Sequence, residues 1–361
     1  MRTTLEILYI AIATLLSLFA ASSLSDSLEQ STDHTSAEPI IRTDSVRLVF
    51  GGDFMQHMPQ VNAARQEDGS YDYTESIEYI KPIFANADIA VLNLETTITT
   101  TSNYSGYPCF ASPTAVADAL VDMGVDIALL ANNHCCDRLA RGIDTTIEQL
   151  ELRSIAYTGV YRDSSDYTKN NILHFESKGI RFAMVNYTYG TNGIPVPKDK
   201  LVNLIDTTAI IRDLRSISRD SIDCVIACMH WGNEYERHQN RHQEHLASIL
   251  KREGVDIIIG SHPHVIQPYE ADSTSVVFYS LGNLVSNQRR RYCNGGLLAE
   301  VTVIKCDTIS GLRYEADAHP VWVLCPGYRI LPRAIADTIT MPSMARSEYN
   351  TFITDTDDLL Y

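Results

Sequence analysis

A chain of 361 residues, 45% apolar and 20% charged, has enough material for a sizeable core in one large domain or two small ones. A formal charge of −16 excludes general affinity for nucleic acid and disfavours docking on an anionic membrane surface. A polyanionic substrate would then need a local positive site, which bound metal ions can supply.

Residues 1–24 read as a signal peptide or an uncleaved N-terminal anchor. Arg2 precedes an apolar run from Ile7 to Ala21, shorter than the ~20 residues of a spanning helix and close to the roughly 7–15 of a signal h-region. Residues 25–45 are rich in Ser, Thr, Asp and Glu and read as a polar linker. The domain that follows is therefore expected to be exported, periplasmic or extracytoplasmic, with a tether if the leader is kept.

Val46 to Phe50 alternates like a strand and runs into a turn at Gly51-Gly52-Asp53. A short helix is expected over Ile77 to Phe84, a buried strand over Asp88 to Leu94, and a helix over Thr114 to Met123 that Gly124 stops. Val125 to Leu130 is a third strand, followed by an amphipathic helix over Ile143 to Leu152, with Asp137 and Gly142 shaping the turn between them. Further strands are expected over Ile180 to Tyr187, Asp223 to Met229, Val255 to Ile259 and Val276 to Leu281. Helical spacing marks Leu201 to Ile217 and Gln243 to Arg252. Leu297 to Ile304 and Tyr314 to Leu324 read as antiparallel β pieces, and the tail after Leu331 is weakly patterned. This alternation of strands and helices predicts an α/β fold.

Chemistry-bearing residues gather at the carboxyl ends of those strands, where open α/β sheets place ligands. Gly260-Ser261-His262-Pro263-His264 puts two imidazoles at i, i+2 on an extended segment, able to reach two adjacent metal ions. Asn132-Asn133-His134 offers the Asn133 amide oxygen as a ligand and His134 as the proton donor or charge stabiliser. His230 is a further candidate ligand, as are Asp53 and His57 in the first turn and Glu95 after the second strand. Imidazole, amide oxygen and carboxylate suit Mn, Fe or Zn. Trp231 and Tyr235 form either a substrate wall or part of the core, and Glu234 either contacts substrate or orients an imidazole. The run Arg289-Arg290-Arg291 is a solvated loop or an anion clamp beside the site, with Arg289 as its substrate-facing member. The eight cysteines contain no C-x-x-C pair, and their pairing stays open; Cys135 and Cys136 read as small buried thiols.

Taken together, Gly52-Asp53-Phe54-Met55, Asn93-Leu94-Glu95, Ala131-Asn132-Asn133-His134, His230-Trp231-Gly232 with Glu234-Tyr235, Gly260 to Pro268, and Tyr279-Ser280-Leu281-Gly282-Asn283 resemble the CapA family of capsule and poly-gamma-glutamate synthesis proteins. That family is similar to the calcineurin-like metallophosphoesterases. The resemblance implies a four-layer α/β/β/α sandwich over residues 46–290, with residues 291–361 as a β-rich extension and tail packing on it. It also implies two divalent transition metals (Mn, Fe or Zn) held by Asp53, Glu95, Asn133, His230, His262 and His264. The phosphoesterase pattern has a histidine where Met55 stands, so His57 is expected to substitute for it; Cys135 stands where an acidic partner of the histidine is usual. The implied function is a two-metal hydrolase or transferase acting on a cell-envelope polymer or its phosphorylated precursor, beside capsule synthesis or export machinery. A non-catalytic envelope scaffold and a generic metallophosphodiesterase are the alternatives.

Overall fold

Alternation along single strands generates the layers. In β1 (Thr43–Phe54), Leu48 and Phe50 point to one buried face and Val49 to the other. β2 (Ile89–Leu94), β3 (Ile127–Leu129) and β4 (Ala156–Thr158) follow in parallel beside it, with Val91, Ile127 and Leu129 on the Leu48 face and Ala90, Leu92 and Ala128 on the Val49 face. The computed structural model describes residues 43–306 and 311–361; the expected leader and most of the linker lie outside the described residues. No described helix is long and apolar enough to cross a membrane.

A second sheet carries the same alternation. β5 (Val160–Tyr161) and β8 (Leu201–Val202) form a small separate ribbon. Between and after them come β6 (Leu173–Ser177), β7 (Ile180–Thr188), β9 (Cys224–His230), β10 (Ile257–Ser261), β11 (Tyr269–Ala271) and β12 (Val276–Phe278), in the order β11-β12-β10-β9-β7-β6. Phe182, Met184, Ile226, Cys228, Ile257 and Ile259 meet the Leu48 face of the first sheet, forming the inter-sheet core. Val185, Val225, Ala227 and Ile258 face outward onto the helices Thr207–Ser216 and Arg241–Arg252. On the far side, Val49, Leu92 and Ala128 pack on the helices Ala115–Met123 and Leu139–Glu151. The result is the expected four-layer α/β/β/α sandwich.

The chain from Asn283 onward enters the first sheet directly. β13 (Asn283–Val285) runs parallel to the end of β1, and β14 (Gly295–Cys306) runs antiparallel along β1 with Leu48 opposite Val301. β15 (Leu312–Leu324) and β16 (Arg329–Pro332) extend that edge. Two local readings change. The segment expected to be helical from Leu201 begins as β8 and becomes helix only at Thr207, after Asp206 caps it by accepting from the Ala209 amide. The weakly patterned tail forms a helix over Ser343–Leu360, burying only Tyr349, Phe352 and Thr356. So narrow a stripe carries little periodic signal; packing of Tyr349 against Trp322 at 5.7 Å supplies what amphipathicity does not.

Candidate metal centre

Two close backbone approaches bring the strand ends together. A Cβ on Gly52 would lie 2.1 Å from the Gly282 carbonyl oxygen, and one on Gly260 would lie 1.9 Å from that of Tyr279, so neither position admits a side chain. The Asp53 amide donates to the Gly282 carbonyl at 3.0 Å, and Asp53 lies opposite Asn283 in register. The carboxyl ends of β1, β2, β9 and β10 thus converge, carrying Asp53, Asn93 with Glu95, His230, and Ser261 with His262.

Six side chains form two groups. In each of Asp53, Glu95, His230 and Glu234, His262, His264, one ligand atom per residue lies within 4.8 Å of the others. The groups touch through Asp53, whose Oδ2 sits 3.0 Å from His264 Nδ1. Glu95 Oε1 lies 3.8 Å from His230 Nε2 and 3.9 Å from His264 Nε2. Asn133 Oδ1 is 2.9 Å from His230 Nε2, completing the ring of oxygen and nitrogen donors.

Electrostatics and unsatisfied atoms fit a divalent cation here. Asp53 and Glu95 are both 0% exposed. Burial, then the neighbouring Asp53 charge, pushes the Glu95 carboxyl well above its ordinary range. Burial pushes His230 well down and His262 down to about 3, with His264 adding to both. Neutral imidazoles beside crowded carboxylates are a metal-ligand set in search of positive charge. Glu95 Oε1 and His262 Nδ1 are buried and have no hydrogen-bond partner among the described residues; such orphaned atoms are costly and uncommon. The histidine pair is also held in strained backbone, with φ of 99° at His262 and 58° at His264, conformations that concentrate at functional sites.

His134 stands beside this ring. Its Nδ1 lies 2.8 Å from Asp137 Oδ2, which also accepts from the Phe110 amide at 2.6 Å. The Phe110 ring packs edge-on against the imidazole at 4.6 Å. The acidic partner missing at Cys135 is therefore supplied three residues after the histidine, by Asp137. Cys135 turns instead toward apolar neighbours, its sulfur 3.9 Å from that of Cys136.

Other expected residues are placed differently. His57 Nδ1 faces Gln60 Oε1 at 3.2 Å and the Asn287 amide at 3.4 Å, and His57 belongs to neither ligand group. Trp231 is fully buried and donates its indole N–H to the Tyr279 carbonyl at 2.9 Å, the core role named above beside the substrate wall. Tyr235 lies at the rim, 6.2 Å from the His264 ring. Glu234 joins His262 and His264. Arg289 pairs with Glu348 of the C-terminal helix at 3.0 Å.

Three further residues stand in the site: Asn93 belongs to the Asn93-Leu94-Glu95 motif, which assigns it no role, and two others lie outside the motifs. Asn93 Nδ2 donates to Asp53 Oδ1 at 2.8 Å and lies 3.4 Å from His230 Nδ1, tying the first group together. Tyr189 lies against His262, ring centroids 4.3 Å apart, and Asn192 Oδ1 accepts from Asn133 Nδ2 at 3.2 Å. The last two follow β7 at the same sheet edge as the histidines, and that position is the one signal that marks them.

Comparison with known proteins agrees with this architecture. The model of the bacterial capsule synthesis protein PGA_cap family matches residues 47–288. The PGA biosynthesis protein CapA of Bacillus subtilis (strain 168) is 28% identical over 251 residues, covering 68% of this chain and 64% of that protein. The capsule biosynthesis protein CapA of Bacillus anthracis is 31% identical over 175 residues, covering 47% of this chain and 42% of that protein. This chain thus spans less than two thirds of the length of either relative. Among solved structures, a 5'-nucleotidase candidate from Staphylococcus aureus, in complex with alpha-ketoglutarate, aligns with a TM-score of 0.53 at 14% identity, covering 86% of this chain and 58% of that one. This likeness concerns the fold alone, the metallophosphatase-like α/β sandwich.

Proposed function

We propose, from the premise that this chain belongs to the bacterial capsule synthesis protein PGA_cap family, that it is an exported, metal-dependent hydrolase or transferase acting on a cell-envelope polymer or its phosphorylated precursor. The observation that carries the proposal is the pair of adjoining ligand groups, Asp53-Glu95-His230 and Glu234-His262-His264. Asn133 is the fourth donor of the first group.

Divalent Mn, Fe or Zn bound there would supply Lewis-acid polarisation and a water acidic enough to react near neutral pH. The chain's own residues supply orientation and proton handling. Asp137 holds the His134 ring through Nδ1, which fixes the tautomer and leaves Nε2 without a proton, free to take one from the attacking nucleophile and pass it to the leaving group. Asn192 Nδ2 lies 3.5 Å from that Nε2. Tyr189, 47% exposed, bounds the same opening. Export rests on the apolar run from Ile7 to Ala21, and work beside capsule synthesis or export machinery rests on family membership.

A second reading, a non-catalytic polymer-binding scaffold, is favoured by one observation. Met55 is buried where the phosphoesterase pattern has a histidine, and His57 does not turn in to replace it. Elemental analysis of the wild-type chain and of the His262→Ala/His264→Ala double variant separates the two. Close to two transition-metal ions per chain, lost in the variant, with metal-dependent cleavage of a polyglutamate or phosphodiester substrate, supports the hydrolase or transferase. Turnover of simple phosphodiesters alone would point to the generic metallophosphodiesterase. No ion, or no change between the two proteins, sinks both metal-dependent readings.

A further inference from the structure

The arginine run beside the site divides into two kinds of residue. Arg289 is bound to Glu348 at 3.0 Å, and Arg291 to Asp355 at 2.7 Å. Both partners lie on the C-terminal helix, so these two arginines pin their loop to it. Arg290 has no carboxylate within 4.0 Å among the described residues. Its guanidinium instead lies over the Tyr235 ring, 3.9 Å from the centroid. Tyr235 in turn is fixed to the histidine segment: its amide donates to the Pro263 carbonyl at 2.8 Å, and its own φ is 69°. Arg290 is therefore held at the rim of the metal centre by a rigid, strained aromatic residue.

A guanidinium held over a ring and paired with no carboxylate has N–H groups to offer a planar oxyanion. The surroundings suit such a ligand. A cleft of about 230 Å³ lies between this loop and the C-terminal helix, lined by Arg289, Arg290, Arg291 and Tyr292 and by the carboxylates Glu348 and Asp355. Arg237, outside that lining, stacks on Tyr292 at 4.3 Å and donates to the Asp355 carbonyl, while its buried Nε has no hydrogen-bond partner among the described residues. Because Glu348 and Asp355 offset Arg289 and Arg291, the positive charge left unpaired by a carboxylate on this loop is that of Arg290, at the site's edge in a chain of net charge −16.

We propose that Arg290 is a specificity-determining residue that receives a second anionic group of the substrate, one outside the reacting centre. The inference rests on the reading of the centre as one that acts on an envelope polymer or its phosphorylated precursor. It narrows that substrate to one bearing an oxyanion, carboxylate or phosphate, spaced from the bond that is cut.

The test is direct binding to the full chain, by fluorescence anisotropy with a labelled ten-residue oligoglutamate and, separately, by competition with tripolyphosphate. Arg290→Ala is expected to weaken binding about tenfold or more, as loss of a charge-assisted bidentate contact does. Arg290→Lys should recover part of it, because charge returns without the fork. Arg291→Ala, which removes an arginine already paired with Asp355, should change it less than about twofold. A response to oligoglutamate alone names a carboxylate source, and a response to tripolyphosphate alone a phosphate source. Wild-type-like binding by Arg290→Ala, equal losses in Arg290→Ala and Arg291→Ala, or no wild-type binding of either probe overturns the proposal. Metal content of the same samples reads the underlying function separately: an empty wild-type chain with Arg290-dependent binding sinks the hydrolase or transferase and leaves the anion subsite standing.

Discussion

Replacing Asp53 by Asn tests the centre with one oxygen changed to nitrogen. Asp53 accepts from Asn93 Nδ2 at 2.8 Å, faces His264 Nδ1 at 3.0 Å, and its charge helps raise the neighbouring Glu95. Without metal, the carboxylate is therefore repelled by Glu95 while being held by donors, and removing its charge relieves the repulsion. With metal, the same charge is a ligand. The variant should then melt close to the wild type in chelator and diverge once metal is added. If wild type is loaded at 100 times its dissociation constant, linkage gives about 2.7 kcal/mol of stabilisation. For a domain of this size that is about 5–11 °C in melting temperature, at roughly 2–4 °C per kcal/mol. A variant with about 100-fold weaker affinity would sit near its own dissociation constant and gain only about 0.4 kcal/mol, or ~1–2 °C. Differential scanning fluorimetry with and without Mn or Zn reads both numbers. An equal metal-induced rise in the two proteins would refute the assignment of Asp53 as a ligand.

His134→Ala should lower turnover by about 10²–10⁴-fold while leaving metal content unchanged; Asp137→Asn should lose less and shift the pH profile, and simultaneous loss of metal in either variant would remove His134 from the proton-transfer role. Asp223, held by Arg181 at 3.0 Å and Lys305 at 3.3 Å, has its carboxyl pushed below the ordinary range, chiefly by the Arg181 hydrogen bond. The folded value lies below the unfolded one, so its stabilisation is complete above about pH 4 and is lost as pH falls below it; urea titrations should show Asp223→Asn less stable than wild type by about 1 kcal/mol at pH 7, with the gap closing toward pH 2. At His262, with φ of 99°, glycine relieves strain that alanine keeps. His262→Gly should accordingly be more stable than His262→Ala by about 1 kcal/mol in chelator, and the reverse order would remove the strain argument.

The α/β class was legible because its cause is local. Leu48, Val49 and Phe50 alternate, and the same two-faced burial recurs in the strands that contain Val185 and Ile226; the number of layers was implied by the family resemblance, not by the period. The strand-end residues Asp53, Glu95, Asn133, His230, His262 and His264 were legible for the same reason, since each directly follows or closes an apolar run. What was not legible depends on partners distant in sequence. Whether an imidazole from the first turn enters the centre is decided by Gln60 and Asn287, which draw His57 aside. Which arginine of the run meets the site is decided by Glu348 and Asp355, far along in the C-terminal helix. Trp231 adjoins His230, but strand alternation turns it to the opposite face, where its indole finds Tyr279. Asp137 differs: it was readable in principle, because i and i+3 meet on one turn, but a search for an acid directly after His134 passes over it.

The distribution of cost across the fold bears on whether the centre still binds a cation. Positive φ at His262, His264 and Tyr235 costs of order 1–3 kcal/mol for each non-glycine residue. Two fully buried carboxylates lie in one ring of residues, and the orphaned Glu95 Oε1 and His262 Nδ1 add desolvation that no protein donor or acceptor offsets. These penalties coincide at one spot, while the surrounding layers are apolar and closely packed. A scaffold that no longer needed a cation could shed them through single changes, such as Glu95→Gln or His262→Gly, with little effect on the layers. Met55 and His57 show what relaxed positions look like here: each sits in ordinary packing or hydrogen bonding, with nothing orphaned. At the centre, strained backbone and unsatisfied donor atoms fall on the same side chains, His262 having both a positive φ and an orphaned Nδ1 beside the orphaned Glu95 Oε1, and binding a cation is the change that would satisfy those atoms together.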